Sequence, residues 1–382
     1  MALSKIQFGN TGRRNLIING AMTIAQRGTT SSALGHGGNH YHSVDRWGAV
    51  LDQDEGSGTL TTTYSQSTDV PASETFVNSL KAVVSSSSYT PSGTDCTALF
   101  YQHIETFNAN PLGWGTAAAK PATLSYWIKS SVAGTGTLQL RLNDSSSVSG
   151  AQDGNYYTKF TINQADTWEK KTHLIPANTT DGWRKTVTAS AIQIYWFFGS
   201  NQAAASTQDA WFRLNNYGQK HSDATFNFQV TGGTAYITGC QLEVGETASD
   251  FEHRPHGEEL KLCQRYFITT DTDKLGDTTA QSSYIMGTGY NSRVRFTYYH
   301  PTTMRTKPAG TVFDASGDGN ITYWRSSSRY DYTGSWSFEN TMTSSSYYTS
   351  STLSSVNGQA VMSYMGDSSS NYNHYLELNA EL

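Results

Sequence analysis

The chain has 382 residues, of which only 15% are charged, and its formal net charge is −5. An average soluble protein has roughly 25% charged residues. The basic residues are scattered, whereas a nucleic-acid groove needs clustered Lys and Arg, and no stretch approaches the ~20 apolar residues of a membrane helix. We therefore expect neither nucleic-acid binding nor membrane insertion.

The composition favours strands over helices. The chain contains 23 Tyr, 15 Phe, 9 Trp and 34 Gly but only 8 Pro, and aromatic residues pack well on pleated sheets. The three cysteines, Cys96, Cys240 and Cys263, are odd in number and widely spaced. They do not form a disulfide framework, which is consistent with assembly in a reducing cytosol.

Residues 1–20 are predicted to form an N-terminal arm, because two short apolar stretches are separated by glycines and two arginines. So short an arm cannot build a core. It is expected to dock onto its own jelly roll, a neighbouring subunit or a larger particle. The candidate docking residues are Ile6, Phe8, Arg13 and Arg14.

Residues 21–255 show repeated short stretches in which apolar and polar positions alternate. Leu124, Tyr126 and Ile128 form one such set, and the others are Leu138, Leu140 and Leu142, then Ile192, Ile194, Trp196 and Phe198. A period of two places one set of side chains inside and the other outside. Many strands at this spacing predict a jelly-roll β-sandwich.

A short helix is predicted over Glu258–Gln264, within a connector at residues 256–265, because Leu260 and Cys263 share one helix face. A second, smaller β-sandwich domain is predicted over residues 266–382, where Val294, Phe296 and Tyr298 alternate with polar residues. The predicted fold class is therefore all-β, with two β domains joined by a short helical connector.

Motifs of catalysis are missing from the sequence, which has no Gly-x-Ser-x-Gly elbow, His-Glu-x-x-His, Walker loop or Cys-x-x-Cys. His36, His40 and His42 lie in a glycine-rich stretch that is interpreted as a solvated loop. Asp314–Ile321 resembles the start of a calcium loop, but Arg325 stands where a bidentate Glu is needed, and a hairpin turn is favoured. No enzyme activity, cofactor or metal site is predicted.

Aromatic residues in polar, loop-like surroundings are the candidate binding residues. Tyr and Trp rings stack on the flat C–H faces of sugars, while polar side chains bind the hydroxyl groups. These rings could equally contact a neighbouring subunit. The candidates are Tyr156, Tyr157, Trp183, Tyr323, Trp324, Tyr330, Tyr332, Trp336, Tyr347 and Tyr348.

Several motifs resemble one family when they are taken in chain order. They are NLIINGAMTIAQRG at 15–28, VDRW at 44–47, LGWGTAAAKP at 112–121, LSYWIKSS at 124–131, QLEVG at 241–245, FEHRP at 251–255, EELKLCQRYF at 258–267 and PTTMR at 301–305. This series is similar to virion and tail-fibre proteins of tailed phages, in particular podophages of the cyanophage type. The resemblance covers roughly residues 15–310.

The resemblance implies a jelly roll like that of a carbohydrate-binding module, a C-terminal β domain acting as receptor-binding tip, and a place on the exterior of a virion. It also implies a homotrimer. The expected partners are other virion proteins of the tail, adaptor or capsid, together with host surface polysaccharide or lipopolysaccharide.

Three functions follow from the sequence. The first is a tail fibre or fibre tip that attaches to host glycans. The second is a capsid or head decoration with a purely structural role. The third is a glycan-degrading enzyme, which is disfavoured because such enzymes usually carry long parallel β-helices and this sequence shows no matching repeat.

Overall fold

The structure is a computed structural model. It describes residues 13–35, 40–53, 56–57, 60–87, 90–91, 96–143, 153–182, 190–200, 203–214, 219–225, 232–270, 283–290, 293–314, 321–325, 328–332, 335–349, 360–365 and 374–381. The chain forms two compact units. The N-terminal unit comprises the segment ending at Thr23, Thr30–Tyr41 and Trp47–Arg254, and the C-terminal unit comprises Ile24–Thr29, His42–Arg46 and Pro255–Leu382.

The N-terminal unit is built from short antiparallel strands. They are β1 (His40–Tyr41), β2 (Gly48–Gln53), β3 (Gly56–Ser57), β4 (Leu60–Ser67), β5 (Ser79–Ser87), β6 (Thr90–Pro91), β7 (Cys96–Glu105), β8 (Ala122–Ser130), β9 (Gly134–Leu142), β10 (Asp153–Ile162), β11 (Glu169–Ile175), β12 (Ser190–Ser200), β13 (Trp211–Leu214) and β14 (Thr234–Val244). A short helix α1 (Thr106–Ala109) and a 3₁₀ turn (Asn110–Leu112) follow β7.

Two sheets of this unit face each other. The seven-stranded sheet has the order β1-β2-β7-β12-β9-β10-β13, and the five-stranded sheet has the order β11-β8-β14-β5-β4. Rings from the two sheets meet in the core: Tyr126 of β8 lies 5.7 Å from Trp196 of β12 and 6.3 Å from Phe160 of β10, between ring centroids. The all-β sandwich predicted from the sequence is confirmed.

The alternating positions in the sequence are the positions that fill this core. Leu124, Tyr126 and Ile128 are buried on β8, and Leu138, Leu140 and Leu142 are buried on β9. Register pairs each inward residue of β9 with an inward residue of β12, such as Leu138 with Trp196. Burial of an apolar side chain of this size contributes roughly 1.5–3 kcal/mol, so this face dominates the stability of the unit.

The N-terminal segment does not stand apart as an arm where the structure describes it. Leu16, Ile17 and Ile18 are buried, and the backbone N–H of Leu16 donates to the carbonyl of Leu242 in β14 at 2.9 Å. Leu16–Ile18 therefore dock onto the chain's own jelly roll, which is one of the three docking sites expected for residues 1–20. Docking of this segment onto a neighbouring subunit or a larger particle stays a prediction. Ile6 and Phe8 lie outside the described residues.

The two arginines of the predicted arm are exposed, but Arg14 is engaged within its own unit. Its backbone N–H donates to the Glu252 carboxylate at 3.0 Å, and its Nη2 donates to the Asp250 carbonyl at 2.6 Å. Arg13 is exposed beside it. A docking role for Arg13 and Arg14 stays a prediction. Arg14 already forms hydrogen bonds with Asp250 and Glu252 of its own unit.

The C-terminal unit begins with the helix α2 (His256–Gln264), which confirms the predicted connector helix. Its strands are β15 (Phe267–Thr269), β16 (Ser283–Tyr290), β17 (Arg293–Tyr299), β18 (Ala309–Asp314), β19 (Ile321–Arg325), β20 (Ser328–Tyr332), β21 (Trp336–Asn340), β22 (Ser344–Thr349), β23 (Ala360–Met365) and β24 (His374–Asn379).

A single sheet organises the C-terminal unit. Its main path is β15-β24-β23-β16-β17-β22-β21, while β18 pairs with β24, and β19 pairs with β20 and β23. The core lies on one face, where Val294 and Phe296 of β17 pack with Tyr347 of β22 and Leu376 and Leu378 of β24. The alternation predicted for β17 is confirmed, because Val294 and Phe296 are fully buried while Arg293 and Arg295 are not.

Within the described residues, no helix has the length and apolar character that crossing a membrane requires.

Candidate functional site

The outer face of the seven-stranded sheet carries two parallel rows of side chains that cross most of its strands. Because Leu138, Leu140 and Leu142 point into the core, the alternate residues of β9 point outward. Strand register aligns them with their neighbours. The first row is His103, Gln193, Arg141, Asn155 and Phe212, and the second is Tyr41, Tyr101, Tyr195, Gln139 and Tyr157. We call these ten residues the two-row face.

The first row is a chain of polar groups fixed by hydrogen bonds. The Arg141 guanidinium pairs with the Asp153 carboxylate, with Nε donating at 2.7 Å, and its Nη1 donates to Gln193 Oε1 at 3.4 Å. Asn155 Nδ2 donates to the carbonyls of Asp153 and Leu214. These bonds hold the amide and guanidinium groups in one arrangement before any ligand arrives, which lowers the entropy cost of binding.

The second row is mainly aromatic. Ring centroids lie 5.7 Å apart for Tyr41 and Tyr101 and 6.0 Å apart for Tyr101 and Tyr195, and His103 of the first row lies 5.0 Å from Tyr101. Tyr101 lies across Gly48, where any Cβ would collide with the ring. The glycine therefore lets this ring lie close against the sheet.

The two rows differ in exposure. Tyr101 and Tyr195 are only 5% and 7% exposed and Tyr157 is fully buried, whereas Tyr41, His103, Gln193 and Arg141 are partly exposed. The Tyr195 hydroxyl donates to Gln193 Oε1 at 3.0 Å, so the buried ring supports the exposed amide. A ligand on this face would contact mainly His103, Gln193 and Arg141 of the first row together with Tyr41, because Asn155 is fully buried.

The electrostatics of the two-row face keep its groups suited to hydrogen bonding. Burial raises the pKa of Tyr157, so its hydroxyl stays protonated. The Arg141 charge is balanced by Asp153.

Among the described residues, no group of three or more His, Cys, Asp or Glu side chains is arranged to hold a metal ion. Amide, imidazole, guanidinium and phenol groups beside aromatic rings are a set that binds polyhydroxylated ligands.

The predicted glycan-binding residues of the N-terminal unit are placed differently from the sequence-based expectation. Tyr156 and Tyr157 lie on β10 rather than in a loop, and both side chains are buried. Tyr156 points inward and packs on Trp211, at 5.5 Å between ring centroids. Neither ring offers a free face to a sugar, so the loop prediction is wrong for both, and Tyr157 remains only as a supporting member of the two-row face. Trp183 lies outside the described residues.

Three of the seven predicted candidates of the C-terminal unit belong to its core or pack against it. Tyr332 and Tyr347 are buried, and the partly exposed Trp336 packs against both of them, at 5.1 and 5.5 Å between ring centroids. Their expected role as exposed stacking rings is therefore wrong for Tyr332 and Tyr347. Tyr323 and Trp324 lie on β19 and Tyr330 lies on β20, but their side chains are outside the described part of the structure.

Tyr348 is the candidate of the C-terminal unit that the structure places on an outward, partly exposed face. It pairs in register with Arg295 of β17, and the Arg293 guanidinium lies 5.3 Å from its ring centroid. Arg295 also pairs with Glu339 of β21. Tyr348, Arg293 and Arg295 thus form a small cationic and aromatic surface beside the hydroxyl groups of Thr297 and Ser346.

Sequence reasoning missed the two-row face because it searched for binding residues in loops. The signal was present in β12, where Gln193, Tyr195 and Phe197 alternate with the apolar inward residues. Recognising it requires the strand order, since His103, Gln193 and Arg141 are up to 90 residues apart in the chain and meet only through register.

Comparison with known proteins gives no sequence relative: no family model and no curated protein matches. Similar solved structures include the enzymatically active domain of tailspike protein 4 of bacteriophage CBA120, with 14% identity and a TM-score of 0.28 over 52% of this chain and 19% of that chain. A putative sugar-binding protein of Bacteroides thetaiotaomicron matches with 13% identity and a TM-score of 0.33, over 61% of this chain and all of that one.

A family 11 carbohydrate-binding module of Clostridium thermocellum also matches, with 13% identity and a TM-score of 0.26 over 59% of this chain and 100% of that chain. The chain spans only about a fifth of the length of the tailspike domain.

Proposed function

We propose that this protein is a non-enzymatic appendage of a tailed-phage particle and that its N-terminal unit binds host surface glycans through the two-row face. The observation that carries the glycan proposal is the row His103–Gln193–Arg141, which presents partly exposed polar groups on three neighbouring strands beside a parallel row of tyrosines. The place on a virion is supported by the ordered motifs between residues 15 and 310 that resemble phage tail-fibre proteins.

Recognition on this face would combine two interactions. The amide of Gln193 and the guanidinium of Arg141 are positioned to bind sugar hydroxyl groups, and the rings of Tyr41 and His103 are positioned to contact sugar C–H groups. Each hydrogen bond contributes only about 1 kcal/mol net, so one site binds weakly. A homotrimer would raise the overall affinity through effective concentration.

The C-terminal unit supplies a second candidate contact. Tyr348 is a partly exposed ring, and Arg293 and Arg295 are cationic donors beside it. This combination favours a sugar that carries an acidic group, because guanidinium binds carboxylate and phosphate strongly. We assign this surface to the predicted receptor-binding tip.

Binding to purified host polysaccharide tests the glycan proposal. The double variant His103→Ala and Gln193→Ala removes two exposed members of the two-row face. At about 1 kcal/mol for each lost contact, the dissociation constant should rise roughly thirtyfold. Thr172→Ala is the matched control, because Thr172 is exposed on β11 of the other sheet, and it should bind like the unmodified protein.

Unchanged binding by the double variant would show that the two-row face is not the site. Failure of the unmodified protein to bind any host polysaccharide or lipopolysaccharide would contradict the glycan role and leave the structural decoration as the better explanation. Release of reducing sugar during the assay would contradict the non-enzymatic assignment. Mass spectrometry of purified particles tests the virion location separately, since absence from particles would refute it whatever the binding result.

A further inference from the structure

The C-terminal unit contains two short segments from the N-terminal part of the chain. Ile24–Thr29 and His42–Arg46 pack within this unit, although the residues between them, Thr30–Tyr41, belong to the N-terminal unit. We call the two segments together the N-terminal clasp. They coincide with parts of two motifs noted in the sequence, Gln26-Arg27-Gly28 and Val44-Asp45-Arg46, which the proposed glycan function leaves without a role.

Hydrogen bonds join the two segments of the clasp to each other and to β15. The backbone N–H of Asp45 donates to the Ile24 carbonyl at 2.9 Å, and the backbone N–H of Gln26 donates to Asp45 Oδ1 at 3.0 Å. Gln26 Nε2 donates to the carbonyl of Phe267, the first residue of β15, at 2.9 Å. Gln26 and Asp45 are almost completely buried, so these bonds are shielded from water.

Charged side chains connect the clasp to the segment after β24. Arg27 Nη2 lies 3.2 Å from Glu381 Oε1, Arg46 Nη1 pairs with the other oxygen of Glu381, and Arg27 Nη1 lies 3.7 Å from Asp45 Oδ1. Two guanidinium groups therefore face two carboxylates, and the cluster is neutral as a whole. The Arg46 and Glu381 side chains are 1% and 7% exposed.

The same arginines cover aromatic residues of the C-terminal unit. The Arg27 guanidinium carbon lies 3.7 Å from the ring centroid of Phe267, and that of Arg46 lies 3.6 Å from the ring centroid of Tyr266. Both rings are buried. Without the clasp, these rings would lose their cover and Glu381 would lose both of its cationic partners, which is a costly arrangement for a buried charge.

We propose that the C-terminal unit has a binding surface, formed by Tyr266, Phe267 and Glu381, whose ligand is the N-terminal clasp, and that this unit reaches its folded state only when the clasp is bound. The required partner is a peptide segment with two arginines and a paired carboxylate. Residues 255–382 are then an incomplete domain, and the clasp makes the stability of the candidate receptor-binding tip depend on the first fifty residues of the chain.

Amide hydrogen exchange on the full-length protein tests this inference. Arg46→Met keeps the length and apolar stem of the side chain but removes the charge that covers Tyr266. Exchange in β15 (Phe267–Thr269) and β24 (His374–Asn379) should become at least tenfold faster, while exchange in β8 and β14 of the N-terminal unit should stay unchanged. Arg14→Met is the matched control, since Arg14 pairs with Glu243 in the N-terminal unit, and it should leave β15 and β24 unaffected.

Glu381→Gln is a milder second variant that keeps the shape of the cluster, and it decides the question if Arg46→Met does not fold. It should accelerate exchange in β15 and β24 by a smaller factor than Arg46→Met. The inference is refuted if either folded variant speeds exchange only in residues 24–46 and leaves β15 and β24 as slow as in the unmodified protein. Glycan binding at the two-row face is independent of this result.

Discussion

A change of pH from 7 to 5 should make His173 destabilise the N-terminal unit and Asp45 stabilise the C-terminal unit, where the lowered pKa of the partly buried His300 opposes the effect of Asp45. In the N-terminal unit, His173 of β11 stacks on Tyr126 at 5.7 Å between ring centroids, and its Nε2 lies 3.0 Å from the Tyr126 hydroxyl. Burial, together with the nearby positive charge of Lys171, lowers the pKa of His173 from 6.5 to about 4. Protonation would place a charge in this largely buried site, beside the fully buried Tyr126.

In the C-terminal unit, Asp45 has the opposite effect, because its contribution to stability increases as the pH falls. Burial raises the pKa of Asp45 from 3.8 to about 6, although Arg27 and the hydrogen bonds from Gln26 oppose the rise and Glu381 adds to it. A group whose folded-state pKa is raised contributes stability at low pH, and this contribution is lost as the pH rises through the folded-state pKa. For His173, whose folded-state pKa is depressed, stability is present above pH 6.5 and is lost as the pH falls towards 4.

The magnitudes follow from the linkage between protonation and folding. With a pKa of about 4 when folded and 6.5 when unfolded, His173 reduces the free energy of unfolding by about 2 kcal/mol between pH 7 and pH 5. With a pKa of about 6 when folded and 3.8 when unfolded, Asp45 increases it by about 1 kcal/mol over the same interval. Protection factors should fall roughly thirtyfold in one unit and rise roughly fivefold in the other.

Hydrogen exchange corrected for the intrinsic effect of pH measures both units in one sample. Peptides from β8 and β11 report on His173, and peptides from β15 and β24 report on Asp45. His173→Gln and Asp45→Asn should each flatten the pH dependence of their own unit and leave the other unchanged. The reasoning fails if both units move in the same direction, or if the pH dependence survives in the two variants.

Three further changes should alter stability in graded amounts, each measured as the free energy of unfolding in urea. Gly48→Ala should cost about 1–3 kcal/mol, because its Cβ would displace the Tyr101 ring from the sheet; no loss would show that the ring can move freely. Leu140→Ala should cost about 2–5 kcal/mol by opening a cavity between the two sheets, and a cost below about 1 kcal/mol would contradict the central place of β9. Arg14→Ala should cost at most about 1 kcal/mol, because its side chain is 46% exposed, and a larger loss would mean that the N-terminal segment depends on this one residue.

The strands that fill the sandwich could be predicted from the sequence because one face of each is apolar. Leu138, Leu140 and Leu142 alternate with polar residues, and the structure buries all three. A period of two is a local property, so a single sequence shows it. Most of the helix over His256–Gln264 could also be predicted, since Leu260 and Cys263 share one helix face and Pro255 precedes the segment.

The sequence could not predict in the same way which chain segments belong to the C-terminal unit. Gln26, Arg27, Asp45 and Arg46 lie more than 200 residues before Tyr266 and Phe267, and their contacts depend on the tertiary fold. In the sequence, these residues read as ordinary polar positions near short apolar stretches. Local amino-acid composition can indicate where one domain ends and the next begins. Which distant segments join a unit is decided by long-range contacts, and composition does not encode those contacts.

The burial of both faces of β12 explains why the loop-based search for a binding site failed. Ile194 and Trp196 are buried on the inward face, yet Tyr195 and Phe197 are almost as buried on the outward face. Phe197 packs there with Leu99, Tyr101 and Tyr195 in a second apolar cluster. Tyr101, Tyr195 and Phe197 are therefore structural support, and the groups that can reach a ligand are the partly exposed members beside them, namely Gln193, His103, Arg141 and Tyr41. A sequence-based choice of aromatic residues in polar surroundings therefore selects residues that support such a face. The groups that contact the ligand are amide and imidazole side chains, which lie two residues away along the same strands.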